Sequence, residues 1–451
     1  MKPPLSVAMI SLGCVKNTVD AEYILGTLIN EGFQITSHPE NAHIIIINTC
    51  GFLESARDES FEIVKEMNQY RQSGRLMKLV VTGCMADVDR TMFAENNLRV
   101  DLFVSPFALD KISKLLLKNS VNATTLNQFI PPYTVHAATR CFVTPPSYAY
   151  VKLADGCNHH CSYCRIPFIR GSYRSKLPED VISEVTSLVD IGRKEINLIS
   201  QDTGQYGKDL HTSVDLTRLI RQLDNISNLV WLRLLYLYPS TISRRLLETI
   251  AQSRTVCHYL DIPLQHVNAS ILKKMNRSGN PLKIRQMIDE IREIIPDCAI
   301  RSTVMVGFPG EDNNAFSELR DFVAEEMIDH LGVFIFSPEP NTPAKCFYKA
   351  VDNETALQRR DELLSLQQKI STKRHKSLKN TIMTVIIDGP DQQNPGCSLG
   401  RTEYQAPDVD PVVHVVGEIP AGTLMPVMIA KTEAYDLWAH PIPAGSEDET
   451  V

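Results

Sequence analysis

The stretch from residue 155 to residue 167, DGCNHHCSYCRIP, decides how the rest of the chain is read. Its cysteines, Cys157, Cys161 and Cys164, follow the spacing C-x3-C-x2-C on one short segment. A structural zinc site usually takes four ligands in two pairs. Here three cysteines share a loop with no partner pair nearby, and His159 and His160 fit no zinc-finger spacing. Three thiolates on a [4Fe–4S] cube instead leave one iron without a protein ligand, an open place for a small molecule to chelate.

Outward from the loop, the chain alternates strands and helices. Residues Tyr148–Leu153, Glu195–Ser200, Leu229–Leu237, His258–Ile262, Ala299–Val306 and His330–Phe336 read as strands. Helical patterns such as Pro178–Asp190 and Pro281–Ile294 separate them. Six successive βα units predict a partial, open (β/α)6 barrel, with the cysteine loop after its first strand, at the face where such barrels carry their active sites. A long polar helix, Glu354–Lys379, leaves this domain.

The N-terminal segment is a doubly wound α/β pattern. Ser6–Leu12, Ile44–Ile47 and Lys78–Thr82 read as strands. Asn17 or Thr18 is the expected cap of a helix running to about Asn30 and ended by Gly32. A polar helix is expected from Glu54 to Gln72. Residues 120–145 read as a linker. In the tail, Thr381–Asp388, Pro411–Val416 and Leu424–Ala430 are short strands between turn residues, which predicts a small β-barrel. The last residues, GSEDETV, read as a disordered tail. The fold class is therefore α/β, with domains at 5–119, 143–374 and 376–445.

The 451 residues, 43% hydrophobic and 22% charged, suit a globular protein of two or three domains. There is no apolar run long enough to span a membrane, and the first residues lack the apolar core of a signal peptide. A cytoplasmic location is expected. Disulfides are rare there, so eleven cysteines call for metal or catalysis. Cys141, Cys257, Cys298, Cys346 and Cys397 stand alone and are expected to be small buried hydrophobes. Cys14, Cys50 and Cys84 have matching contexts, SLGC, INTC and VTGC, each just beyond an apolar strand. In a parallel sheet the strand C-termini share one edge, where ligands bind. These three are expected to converge on a second [4Fe–4S] cluster with an open iron; the bland alternative is three unrelated buried cysteines.

The triplet after the first strand of a six-unit barrel resembles the signature of radical S-adenosylmethionine enzymes. The resemblance implies that the open iron chelates S-adenosylmethionine, whose one-electron cleavage yields a 5′-deoxyadenosyl radical. Tyr163 fits the aromatic residue common before the last cysteine. With the N-terminal cysteine set and the small C-terminal barrel, which is TRAM-like, nearly the whole chain resembles the methylthiotransferase family. Its members insert sulfur and a methyl group at an unreactive C–H bond. The resemblance implies two [4Fe–4S] clusters, S-adenosylmethionine and an electron donor such as a flavodoxin or ferredoxin. Cofactor-contacting candidates are Tyr163, Gln201, Asp202, Arg301 and Gly307. Gln201 and Asp202 follow the second barrel strand. Arg301 meets the cofactor carboxylate if it points inward. Gly307 and Gly310 permit close backbone approach, and His266 follows the fourth strand.

One branch of the family acts on an adenosine of transfer RNA, the other on the β-carbon of an aspartate in ribosomal protein twelve of the small subunit. SLGCVKNTVDAE, ISQDTGQYG, DIPLQH and VGFPGE resemble the protein-directed branch. Val15, where that branch usually has proline, and Pro411, where glycine is common, depart from it. From residue 380 onward two basic residues, Arg401 and Lys431, face eleven acidic ones. Such a tail repels RNA and suits a basic ribosomal protein, so direct transfer-RNA binding is not expected. A solvated acidic face with no partner is the bland alternative. The rival readings are a transfer-RNA adenosine methylthiotransferase and a non-enzymatic iron–sulfur protein. No P-loop motif is present, and a monomer is expected.

Overall fold

A computed structural model describes residues 4–117, 140–211, 213–325, 327–348 and 350–442. Most of the expected linker and the GSEDETV tail lie outside them. The chain forms two compact units. The first comprises 1–143, 152–187 and 337–345; the second comprises 144–151, 188–336 and 346–451.

In the first unit a parallel sheet is built from β1 (Ser6–Ser11), β2 (Gln34–Ile35), β3 (Ile44–Thr49), β4 (Lys78–Gly83) and β5 (Leu102–Val104), in the order β2-β1-β3-β4-β5. Strand β3 is buried along its whole length, because helices cover both faces of the sheet. One face packs Ile44, Ile46 and Val80 against Ile24 and Leu28. The other packs Ile45, Ile47 and Val81 against Val64 and Met67. Strands β2 and β5 have too few residues to leave a readable period.

The helix after β1 runs Val15–Asn30 and is capped by Cys14, not by Asn17 or Thr18. Gly13 sits in the left-handed region with φ +90° and turns the chain straight into the helix. Asn17 thereby lands inside the first turn, and its amide donates to the Leu12 and Thr49 carbonyls at 2.8 and 3.0 Å. Gly32 does end the helix: its N–H bonds Ile29 O, and Phe33 N–H bonds Leu28 O. The polar helix covers Glu54–Asn68 and continues as a 3-10 turn over Gln69–Ser73. A short antiparallel pair, β7 (Ala154–Asp155) with β8 (Arg174–Ser175), frames the cysteine triplet.

The second unit holds the six-stranded parallel sheet. Its strands are β6 (Tyr148–Lys152, whose last residue belongs to the first unit), β9 (Glu195–Ile199), β10 (Trp231–Leu234), β11 (Val256–Asp261), β12 (Ala299–Val306) and β13 (His330–Ile335), in the order β13-β12-β11-β10-β9-β6. The open six-unit sheet expected from the sequence is observed. Helices Pro178–Asp190 and Pro281–Ile294 keep their expected limits. The long helix is Asn353–Lys376, capped by the Asp352 carboxylate on Thr355 N–H.

The tail closes into a barrel of β14 (Ile382–Pro390), β15 (Cys397–Arg401), β16 (Val413–Val416), β17 (Leu424–Thr432) and β18 (Leu437–Pro441), in the order β14-β15-β16-β18-β17. Strands β15 and β18 escape the sequence reading because polar and glycine residues interrupt them. Val385, Ile387, Val413, Val415, Val427 and Ile429 fill the barrel. The barrel docks on the N-terminal ends of the six-stranded sheet through buried charge. Arg401 pairs with Glu195 at 2.8 Å and with Asp388 at 2.6 Å, and Arg233 pairs with the same Glu195 at 2.8 Å. Among the described residues no helix is long and apolar enough to cross a membrane.

Breaking a buried pair leaves an uncompensated charge and costs about 3–5 kcal/mol. Arg401→Met should therefore lower the unfolding free energy by about that much. Urea denaturation followed by Trp fluorescence checks it. A loss below about 1 kcal/mol, the scale of an exposed pair, would mean the Arg401–Glu195 pair does not hold barrel to sheet.

Candidate iron–sulfur and cofactor sites

Cys14, Cys50 and Cys84 follow β1, β3 and β4, three neighbouring strands of the first unit's sheet. Neighbouring parallel strands end side by side, so the three cysteines meet at one edge. Gly13 packs so tightly on Cys50 that a side chain there would come within 2.8 Å of its Cβ. Gly83 is equally confined, with φ +82° and its missing Cβ position overlapping Asn48 and Thr49. Cys14 is exposed, Cys50 half-buried and Cys84 buried. Burial pushes the Cys50 thiol up to about 11, with smaller contributions from Cys84 and Cys14 beside it. Burial likewise raises Cys84, against the pull of Arg170. Iron bound at a thiol overrides this, since a coordinating thiol is deprotonated outright.

Cys157, Cys161 and Cys164 belong to the same compact unit. Cys157 N–H bonds Gly171 O at 3.1 Å, and Cys164 N–H bonds Cys161 O at 3.0 Å. Backbone N–H groups also reach the sulfurs: His159 N to Cys157 Sγ and Ile166 N to Cys164 Sγ, both at 3.4 Å. Gly156 has φ +83°, and a side chain there would collide with the Ser172 and Gly171 carbonyls. Tyr163 is buried within the loop. Among the described residues no three His, Cys, Asp or Glu side chains are gathered as ligands of one metal ion. Thiolates on a four-iron cube each hold a different iron, so they need not be gathered in that way. Each set supplies three thiols among backbone N–H donors, a donor set that fits an iron–sulfur cube.

Residues beyond the cysteines join the two sets inside this unit, and sequence reasoning missed them. Just after the triplet, Arg165 donates to Gly51 O, next to Cys50, at 2.7 Å and pairs with Asp89 at 3.0 Å. At the end of helix Ile166–Arg170, Arg170 Nη2 donates to Asn17 Oδ1 at 2.8 Å and to Cys84 Sγ at 3.7 Å. Its Nη1 pairs with Asp20 at 3.1 Å and Asp155 at 3.3 Å. Lys152 Nζ completes the group, 2.7 Å from Asp20 and 3.0 Å from Asp155. The only hint in the sequence was proximity: each of these residues lies within six of one of the six candidate cysteines or of the DGC turn.

The other candidates lie in the second unit. Gln201, Asp202 and Gly307 follow the C-terminal ends of β9 and β12. Asp202 is fully buried and accepts from Gly204 N at 3.1 Å and Tyr238 N at 3.3 Å, so it shapes its loop. Gly307, at φ +76°, leaves room for Ala356 of the long helix, and its N–H donates to Glu311. Glu311 pairs with Arg359 at 3.2 Å, yet burial still carries its carboxyl up to about 7. His266 is buried, accepts Asn268 N–H at Nδ1, and is pushed down to about 3 by burial and then by Arg359. It is a neutral, packed loop histidine. Arg301 departs from expectation. It lies near the N-terminal end of β12 and pairs with Asp410 of the barrel at 3.3 Å, so its charge is engaged away from the strand ends that carry Gln201 and Gly307. A cavity of about 530 Å³ at that same N-terminal side, lined by Arg292, Asp297, His330 and Arg374, includes none of the cofactor candidates. Of the lone cysteines, Cys257 and Cys298 are buried as expected, whereas Cys346 is exposed.

The class of protein defined by this fold and these sites is that of the radical S-adenosylmethionine superfamily, whose model matches residues 151–323. The family described as uncharacterized protein family UPF0004 matches 6–105, and the TRAM domain matches 381–442. Radical S-adenosylmethionine methyltransferase TsrM from Kitasatospora setae shares the fold, with a TM-score of 0.55 at 14% identity over 76% of this chain and 77% of that one. The radical enzyme OxsB does so at 0.52 and 10% identity, over 80% and 56%. At full length the chain is 39% identical to the ribosomal protein uS12 methylthiotransferase RimO of Geobacter sulfurreducens, over 96% of this chain and 97% of that relative. The RimO protein of Clostridioides difficile is 37% identical over 96% and 98%. The chain belongs to the RimO family of radical S-adenosylmethionine methylthiotransferases.

With a thiol at about 11, only about one Cys50 in a thousand is thiolate at pH 8. In the iron-free chain Cys14, which is exposed, should be alkylated well before Cys50. Timed iodoacetamide labelling with peptide mass spectrometry reads this, and equal rates would contradict the burial of Cys50.

Proposed function

We propose that this chain adds a methylthio group to the β-carbon of an aspartate in ribosomal protein uS12. The observation that carries the reading is the full-length likeness to RimO proteins, together with six cysteines placed as two sets of three in one compact unit. Cys157, Cys161 and Cys164 would hold one [4Fe–4S] cluster and the S-adenosylmethionine it chelates. Cys14, Cys50 and Cys84 would hold the other. When bound, these groups supply the electron that cleaves S-adenosylmethionine and an open iron for the sulfur to be transferred. The chain's part is to position and enclose. The Gly156 turn aims the triplet loop, backbone N–H groups steady its sulfurs, and Arg165 and Arg170 tie that loop to the second cysteine edge. Gln201 and Tyr163 are the remaining candidates for cofactor contact, while Asp202 and Gly307 act by shaping the loops at the strand ends.

The domains are read as 5–119 for the N-terminal cluster, 143–374 for the radical core and 376–445 for substrate recognition. The acidic barrel supports a basic protein substrate over transfer RNA, on fewer charges than the composition counts. Asp388 is paired with Arg401, Asp391 with His414, and Asp410 with Arg301, while Asp408 accepts from Tyr148 and Tyr150. Glu418 is exposed on the barrel for a partner to meet, while Asp436 is half-buried, 3.7 Å from His414, and accepts from Val412 N. A flavodoxin or ferredoxin would deliver the electron.

The test is anaerobic reconstitution with reductant, sulfide and S-adenosylmethionine, offering uS12 and transfer RNA separately. Mass spectrometry should find one hydrogen replaced by methylthio on uS12 alone. A gain on transfer RNA alone would overturn the substrate assignment. Cys161→Ala should abolish 5′-deoxyadenosine formation, and a variant that still makes it would remove the triplet from the reaction.

A further inference from the structure

Arg170 is buried, and the two edges of its guanidinium meet different surroundings. The Nη1 edge lies against Asp20 and Asp155. Lys152 shares both carboxylates, so two cations and two anions balance there. The Nη2 edge turns away from them. It donates to Asn17 Oδ1 and to Cys84 Sγ, and Asn17 Oδ1 itself stands 4.0 Å from that sulfur. Arg170 does not need Cys84 to neutralise its charge, since its carboxylates already do so. What the sulfur supplies is an acceptor for a buried N–H.

We propose that Arg170 is a positioning residue for the cluster at Cys14, Cys50 and Cys84: by donating from Nη2 to Cys84 Sγ it raises that cluster's reduction potential. The inference rests on the reading of these three cysteines as cluster ligands. Hydrogen bonds to the ligand sulfurs, together with local charge and burial, set the potential of an iron–sulfur cluster. A donor held at a thiolate stabilises the reduced form, which carries one more negative charge. A guanidinium keeps its proton throughout the accessible range, so the effect does not titrate away. Asn17 orients the donor: its amide N–H groups are held by the Leu12 and Thr49 carbonyls, which leaves Oδ1 facing Arg170. The triplet's sulfurs at Cys157 and Cys164 accept from backbone N–H groups. Arg170 sits six residues beyond Cys164, so the segment that carries one cluster's ligands also tunes the other.

The experiment uses the full-length chain with Cys157, Cys161 and Cys164 all replaced by Ala, so that one cluster remains. Iron and sulfide content are measured first, then the midpoint potential by a dye-mediated titration followed by electron paramagnetic resonance. Arg170→Gln should shift the potential to more negative values, and Arg170→Lys, which keeps charge but not the forked donor, should shift it less. If the triple variant takes up no cluster, the ligand reading itself fails, and the inference falls with it. If the cluster loads and both arginine variants titrate like their parent, Arg170 is scaffold only. If neither variant loads iron while the parent does, Arg170 serves assembly rather than potential, and the proposal is overturned.

Discussion

A buried group of four charges, Asp20, Lys152, Asp155 and Arg170, is the constraint on which the site end of the first unit depends. Ions of this kind are expensive to desolvate, and they persist in an interior only when every member is paired and hydrogen-bonded. Here each carboxylate meets both cations. The strong mutual attraction holds Asp155 well below the usual carboxylate range and Lys152 above that of an ordinary lysine, despite their burial. Such a group gains little net stability over apolar packing. Its four pairs form in the arrangement that brings all four side chains together. That arrangement brings helix Val15–Asn30, which begins at Cys14, against the strand and helix on either side of the triplet.

The second unit uses the same device for another purpose. Glu195 lies between Arg233 and Arg401 with all three side chains buried, and Asp388 closes the set from the barrel. Tyr148, Tyr150 and Tyr259 add phenolic donors to Asp408 and Asp410. Burial beside those carboxylates pushes all three phenols far above the ordinary tyrosine range, so they stay neutral donors at any physiological pH. Much of the barrel's acidity is therefore internal mortar. Net charge read from composition describes what is present, and only pairing tells how much of it a partner meets.

Periodicity carried the fold a long way. Buried parallel strands such as Ile44–Thr49 announce themselves as apolar runs, and helices with Pro at the start and regular apolar spacing, Pro178–Asp190 and Pro281–Ile294, keep their limits. The misses have separate physical causes. Strands β2, β5 and β7 are two or three residues long and hold their place through neighbours, not through their own pattern. The cap of the first helix was misplaced because a left-handed glycine, Gly13, lets Cys14 serve where Asn17 has the better capping chemistry.

The sequence by itself determined the six cysteines as two sets of three, the strands that precede them and the family they resemble, because spacing and strand ends are local features of the chain. Only the tertiary structure decided what surrounds them. That Asn17, Arg165 and Arg170 join the two sets, that Arg301 turns to Asp410, and that Asp202 and Gly307 shape loops are all contacts between residues far apart in sequence. Such contacts are chosen by where a buried donor finds an acceptor, and that choice leaves no period or motif to read.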